Sequence, residues 1–192
     1  VLYFFKTNTY CTFEKYFNNE EFIQLLHEKD GNGNNIIHYL AYFSKSPLIL
    51  PFVWLKIKKL FVNVKELKAL LVLKGFEGRN ALFLSSSQKD EKYFFYFFEH
   101  IYCEVLDLHE FIYLTDERYD NFYHNLVRFS SVSKLEFASK KLKAKLSSEV
   151  FTDFLKLKNK YGMNLFHLMA QNNKNEESII YLANLIEEQL GN

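Results

Sequence analysis

Gly33-Asn34-Asn35-Ile36-Ile37-His38 returns three times along the chain, as Gly78-Arg79-Asn80-Ala81-Leu82-Phe83, Tyr119-Asp120-Asn121-Phe122-Tyr123-His124 and Gly162-Met163-Asn164-Leu165-Phe166-His167. The copies align without a gap, at spacings of 45, 41 and 43 residues. Eight positions before the Gly column stand Leu25, Leu70, Phe111 and Phe154, and seven before it Leu26, Leu71, Ile112 and Leu155. Two apolar columns upstream of a shared turn mark one structural unit used repeatedly, and a period of about 20 to 50 residues belongs to solenoids and arrays.

Within a unit the signals are helical. Asn is a favoured N-cap because its side-chain oxygen accepts from orphan backbone N–H groups, so each repeated Asn predicts a helix start. In the first unit that helix runs to about Phe43; Ser46-Pro47 restarts the chain, and a second helix extends to about Phe61. A short third helix, Val64 to Leu73, ends at Lys74-Gly75, where Gly suits a C-cap. The third unit repeats the scheme with Asn121 to Phe129, Lys134 to about Leu146 and Ser148 to Leu157, and Glu20 to His27 takes the short-helix place before the first turn. The reading is therefore a single helical repeat domain over 1–192. Its units start near 30, 75, 116 and 159; 1–29 is the remnant of an upstream unit, and 176–192 is a C-terminal cap helix whose Glu187-Glu188-Gln189 gives it a polar finish.

Composition agrees with helices. Six Gly and two Pro among 192 residues are too few for a sandwich or barrel, which needs a turn signal about every 8 to 12 residues. Hydrophobic residues at 48%, with 21 Phe and 13 Tyr, exclude a disordered tail. The net charge is +1, and Arg79, Arg118 and Arg128 are the only arginines, so forks for phosphate and guanine are scarce and no nucleic-acid partner is expected. Cys11 and Cys103 stand far apart, and no Asn lies in a glycosylation sequon, which predicts a reducing, cytoplasmic setting. The longest apolar run, Pro47 to Leu55, is too short to span a bilayer. The chain opens with Val1, and a piece of a longer protein is expected.

These unit starts resemble the ankyrin repeat, with its Asp-x-x-Gly-x-Thr-Pro-Leu-His-x-Ala consensus. Asp30-Gly31-Asn32-Gly33-Asn34-Asn35-Ile36-Ile37-His38-Tyr39-Leu40-Ala41 keeps the Asp, Gly, His and final Ala. The third unit keeps Asp116 and His124 with Tyr119 for Gly, the fourth keeps Gly162, His167 and Ala170, and the second has Gly75 for Asp and Phe83 for His. The units are roughly ten residues longer than the family's period of about 33. A short helix then stands where the projecting β-fingers belong, and an armadillo- or HEAT-like stack is the alternative architecture. The resemblance implies that the repeated His ties its turn by hydrogen bonds, so a buried, bonded His167 is expected.

Other chemistry-bearing patterns read as structural. His38, His124 and His167 belong to different units and cannot converge on one ion, so no metal or cofactor is expected. Asp107-Leu108-His109-Glu110 sets an acid near a histidine, but adjacent residues on a helix do not face each other. Glu99 and Glu104 near Cys103 oppose thiolate formation. The run Tyr93 to Phe98 reads as a buried helix between units rather than a stacking platform. Lys134, Lys140, Lys141, Lys143 and Lys145 read as the solvated side of an outer helix, with a membrane or acidic partner as the rival.

The expected function is non-enzymatic: binding of a partner protein through the concave face that a solenoid presents. By resemblance, the exposed variable positions supply Tyr42 and Phe43; Phe76, Glu77, Arg79 and Gln88; Glu117, Arg118, Asp120, Arg128 and Phe129; and Lys160, Tyr161, Gln171 and Asn172. Other domains of the same chain are included among the candidate partners. The alternatives are a structural spacer or oligomerisation array, or the targeting arm of a toxin or host-directed effector.

Overall fold

The computed structural model describes residues 18–43, 49–61, 63–129, 131–172 and 175–190; Cys11 and the expected Ser46-Pro47 restart lie outside them. The chain is all-α: helices take up 72% of the described residues, and no strand occurs among them.

The elements follow one rhythm. A short helix α1 (Asn19–His27) precedes the first turn; then come α2 (Ile36–Phe43), α3 (Ile49–Leu60) and α4 (Val64–Val72). After the second turn come α5 (Ala81–Ser86), a composite α6 (Glu91–Tyr96, a π-helical stretch Phe97–Tyr102, then Cys103–Val105) and α7 (Leu108–Phe111). The third turn leads to α8 (Phe122–Phe129), α9 (Val132–Lys143) and α10 (Ser148–Lys156), and the fourth to α11 (Leu165–Asn172) and α12 (Glu176–Leu190). The helix ends lie close to the spacing-based expectations. The exception is α9, which starts two residues before and stops three residues short of the expected Lys134 to Leu146 span.

Four turns built alike set this rhythm. In the first, Asp30 N–H donates to Asn34 O (2.9 Å) and Gly33 N–H to Asp30 O (2.9 Å), while Asp30 Oδ1 accepts from the amides of Asn32 and Asn34 at 2.8 Å. Asp116 and Asn159 repeat both functions in the third and fourth turns. Gly33, Gly78 and Gly162 are left-handed at φ 79°, 70° and 71°, and Tyr119 adopts φ 60° in the same column. The second turn lacks the Asp for a steric reason: a Cβ on Gly75 would lie 2.2 Å from Asn34 Oδ1 and 3.0 Å from the His38 ring. The turns also bond to one another, Glu117 N–H to Glu77 O at 3.1 Å and Lys160 N–H to Arg118 O at 2.9 Å. A short helix precedes each of these turns, and no strand is described at them.

Each repeated Asn caps its helix: Asn35, Asn80, Asn121 and Asn164 all accept, through Oδ1, an amide from the first helical turn. The first helices then pack in chain order, α2 on α5, α5 on α8 and α8 on α11, while α6, α9 and α12 form a second row beside them. The aromatic run fills the space between. Tyr93, Phe94, Phe97 and Phe98 are buried, and the Phe98 ring meets Phe111, Phe122 and Phe137 at centroid distances of 5.8, 5.5 and 6.1 Å. Edge-on and tilted contacts of this kind are favoured by the ring quadrupole. Buried polar atoms are matched as well: Tyr102 OH donates to Leu71 O (2.8 Å) and accepts from Leu82 N–H (3.0 Å), closing the end of α4 and the start of α5 together.

Candidate binding site

The repeated histidines are spent on the framework. His38 Nε2 faces the carbonyls of Leu73 (3.1 Å) and Arg79 (3.2 Å), so it carries a proton, and Nδ1 sits against Asn35, 2.6 Å from its Oδ1 and 3.2 Å from its N. His124 does the same between Leu157 O (3.2 Å) and Asn121 N–H (3.3 Å). Burial pulls the pKa of both rings below the ordinary histidine value, against the opposing pull of those carbonyls. His167 departs from the expectation. It keeps the bond from Asn164 N–H, but it is exposed, because among the described residues no later turn offers a carbonyl to its Nε2.

The other chemistry-bearing residues are also structural. Asp107 Oδ1 caps α7 by accepting from His109 N–H at 2.9 Å. The Cys103 thiol is pushed up to about 11, chiefly by burial; Glu99 and Glu104 add less, against Lys145 and Lys141. Among the described residues no group of three His, Cys, Asp or Glu side chains is placed to hold a metal ion.

Two charged residues lie deeper than their sequence positions suggest. Lys134 belongs to the basic stretch expected on the solvated side, yet it is 3% exposed, and its ammonium donates to Ser86 O (3.1 Å) and to Gln88 O. The cause is the end of α5: its last carbonyls need donors, and Lys134 reaches them from α9. Burial lowers its pKa to about 8, offset partly by Glu91 and Asp90. Asp120, expected on the binding face, is 1% exposed and takes no part in it. Asn159 Nδ2 and Arg128 each donate to its carboxylate at 2.9 Å, so Arg128 turns inward too and is no exposed anchor.

The remaining face residues divide between a hollow and the turn tips. Tyr42 and Phe43 at the end of α2, Phe76 and Arg79 of the second turn, and Phe129 at the end of α8 line one open hollow of about 710 Å³. Asn32, Asn34, Ser87 and Lys89 supply its polar part. Phe43 and Phe129 are each 60% exposed, and Phe43 is held by Tyr39 (centroids 5.5 Å) and edge-on by Tyr42 (4.8 Å). Arg128 lies over the Phe129 ring at 5.8 Å, so the buried ion pair also steadies this exposed aromatic. Gln88 stands outside the lining but donates its amide to Tyr42 O, joining the ends of α2 and α5.

At the turns, Arg79 pairs with Glu77 (2.6 Å) and lies 3.8 Å from Asp116, and Arg118 approaches Glu77 at 3.7 Å. Glu117, Lys160 and Tyr161 are exposed on later turns, with Lys160 Nζ over the Tyr161 ring at 5.3 Å. Gln171 is exposed on α11, away from the hollow, and the Asn172 side chain lies outside the described residues.

No protein-family model matches the chain, and no curated protein matches it. No described helix is long and apolar enough to cross a membrane.

Proposed function

We propose that this chain is a divergent ankyrin-like helical array that binds a partner protein, without catalysis, through the hollow between the first helices of three consecutive units. The array reading is supported by four turns with shared hydrogen bonds, the Asn caps, the two buried histidine ties and first helices packed in chain order. The non-enzymatic part is supported by the state of the reactive groups: the buried histidines are bound to backbone, and the thiol holds its proton well above neutral pH.

One observation carries the binding reading. Residues 86 positions apart, Phe43 and Phe129, meet with Tyr42 and Phe76 around a single hollow while staying open to solvent. Exposed apolar patches rimmed by polar groups mark interaction sites, and aromatics are the usual anchors. The test is selection of displayed peptides on the wild-type chain, with counter-selection on a Phe43→Ser/Phe129→Ser variant. Recovery of sequences that bind only the wild type is the expected result. A selection with no binder sensitive to the double substitution overturns the proposal.

A further inference from the structure

The hollow has a charge signature as well as an apolar one. Its lining includes Arg79 and Lys89 and no carboxylate. The acids next to the lining residues are engaged: Asp30 accepts from Tyr39 and from the amides of its own turn, Glu77 pairs with Arg79 and Arg118, Asp90 beside Lys89 caps α6 by accepting from Lys92 N–H, and Glu91 accepts from the Ser131 and Ser133 hydroxyls. Those contacts, the Tyr39 hydroxyl first, hold the Asp30 carboxyl down at about 2, so it stays charged and bound in its turn. Arg79 spends much of its charge on Glu77 and Asp116. Lys89, by contrast, is exposed beside Ser87 and has no ion pair among the described residues.

An ammonium at the edge of an aromatic hollow selects its partner by charge as well as by shape. The large apolar surfaces of Phe43, Phe76 and Phe129 call for a bulky apolar side chain seated among them, and Lys89 calls for an anion next to it. Among the described lining residues a single cation without an ion pair is too few for a nucleic-acid backbone, which is bound by many phosphate contacts.

We propose that the occupant is a short acidic segment of a partner protein, carrying a large aliphatic or aromatic residue next to an Asp or Glu. The apolar side chain enters between Phe43 and Phe129, and the carboxylate pairs with Lys89. This rests on the binding reading above and specifies its ligand.

The experiment takes peptides selected as described, sequences them, and measures one synthetic peptide by fluorescence anisotropy against wild type, Lys89→Glu and Lys89→Met. Three results are expected: enrichment of Asp or Glu beside a bulky apolar residue, at least a tenfold affinity loss with Lys89→Glu, and a smaller loss with Lys89→Met. An Asp-to-Asn version of the peptide should lose affinity for wild type but little for Lys89→Met. Peptides that depend on Phe43 and Phe129, yet are neutral or basic or ignore Lys89→Glu, overturn the acidic-segment proposal and leave the binding reading standing. Absence of any peptide sensitive to the Phe43→Ser/Phe129→Ser change overturns both. Displacement of the peptide by a fifteen-nucleotide oligothymidylate overturns the choice of a protein segment over a nucleic acid.

Discussion

Replacing His124 by Ala tests how the turns hold the units together. The ring is fully buried, donates through Nε2 to Leu157 O in the stretch before the next turn, and sets Nδ1 against Asn121, 2.7 Å from its Oδ1 and 3.3 Å from its N. Truncation strands a part-buried carbonyl and a buried N–H, at about 1–3 kcal/mol each before relaxation, and leaves a ring-sized void. A net loss of about 3 kcal/mol is expected. For a chain of this length each kcal/mol moves Tm by about 2–4 °C, so Tm should fall by roughly 6–12 °C.

The second unit has Phe83 at the corresponding position, buried, so His124→Phe should keep most of the volume and lose only the two bonds, at about 2 kcal/mol. His167→Ala is the internal control: the same substitution at an exposed ring bonded only within its own turn should cost about 0.5 kcal/mol. Urea and thermal unfolding followed by circular dichroism at pH 7.5 read all three. Equal losses at His124 and His167 would refute the reasoning, because the tie to the following unit would then contribute nothing.

Further outcomes follow from the same geometry. His38 and His124 are held below their ordinary pKa, so the folded chain resists a proton that the unfolded chain accepts; stability should be full above pH about 6.5 and fall as pH drops below it, more steeply for wild type than for His124→Phe in unfolding measured from pH 7.5 to 5. Tyr119→Gly should raise stability by about 0.5–1 kcal/mol, since relief of a left-handed Tyr at φ 60° exceeds the entropy cost of Gly; a lower Tm in thermal melts contradicts this. Gly75→Ala should lower stability by about 1–2 kcal/mol in the same melts by driving Asn34 off the Phe76 amide, and a neutral result would mean that the two turns are not in this contact.

What could be read from the amino acids was what local chemistry determines. An Asn cap and an apolar pair on a short helix each act within one unit; the Asn-capped helix starts and the buried Leu26, Leu70, Leu71, Phe111, Ile112, Phe154 and Leu155 were accordingly legible, whereas Gly75, expected as the C-cap of α4, sits at φ −106° and Leu73 holds the cap position. What escaped depends on partners a unit away. Lys134 looks like its neighbouring lysines until Ser86 and Gln88 present carbonyls to it from 48 and 46 positions upstream. Asp120 looks like a loop carboxylate until Asn159 closes over it from 39 positions ahead. His167 has the same motif as His124 and differs only in what stacks beyond it. The hollow was half legible: Tyr42, Phe43, Phe76 and Phe129 are exposed as expected, but the inward turn of Arg128 and the placement of Lys89 required the packed chain.

The most direct measurement is a calorimetric titration of a selected peptide into wild type and into Phe43→Ser/Phe129→Ser, with thermal melts of both proteins. Both rings are mostly exposed, and Phe43 loses one stacked and one edge-on contact, so the variant should melt within about 3 °C of wild type. The account predicts one peptide per chain on wild type and at least a tenfold weaker affinity on the variant. Unchanged affinity on the folded variant, or unfolding of the variant at temperatures where wild type is intact, would contradict it.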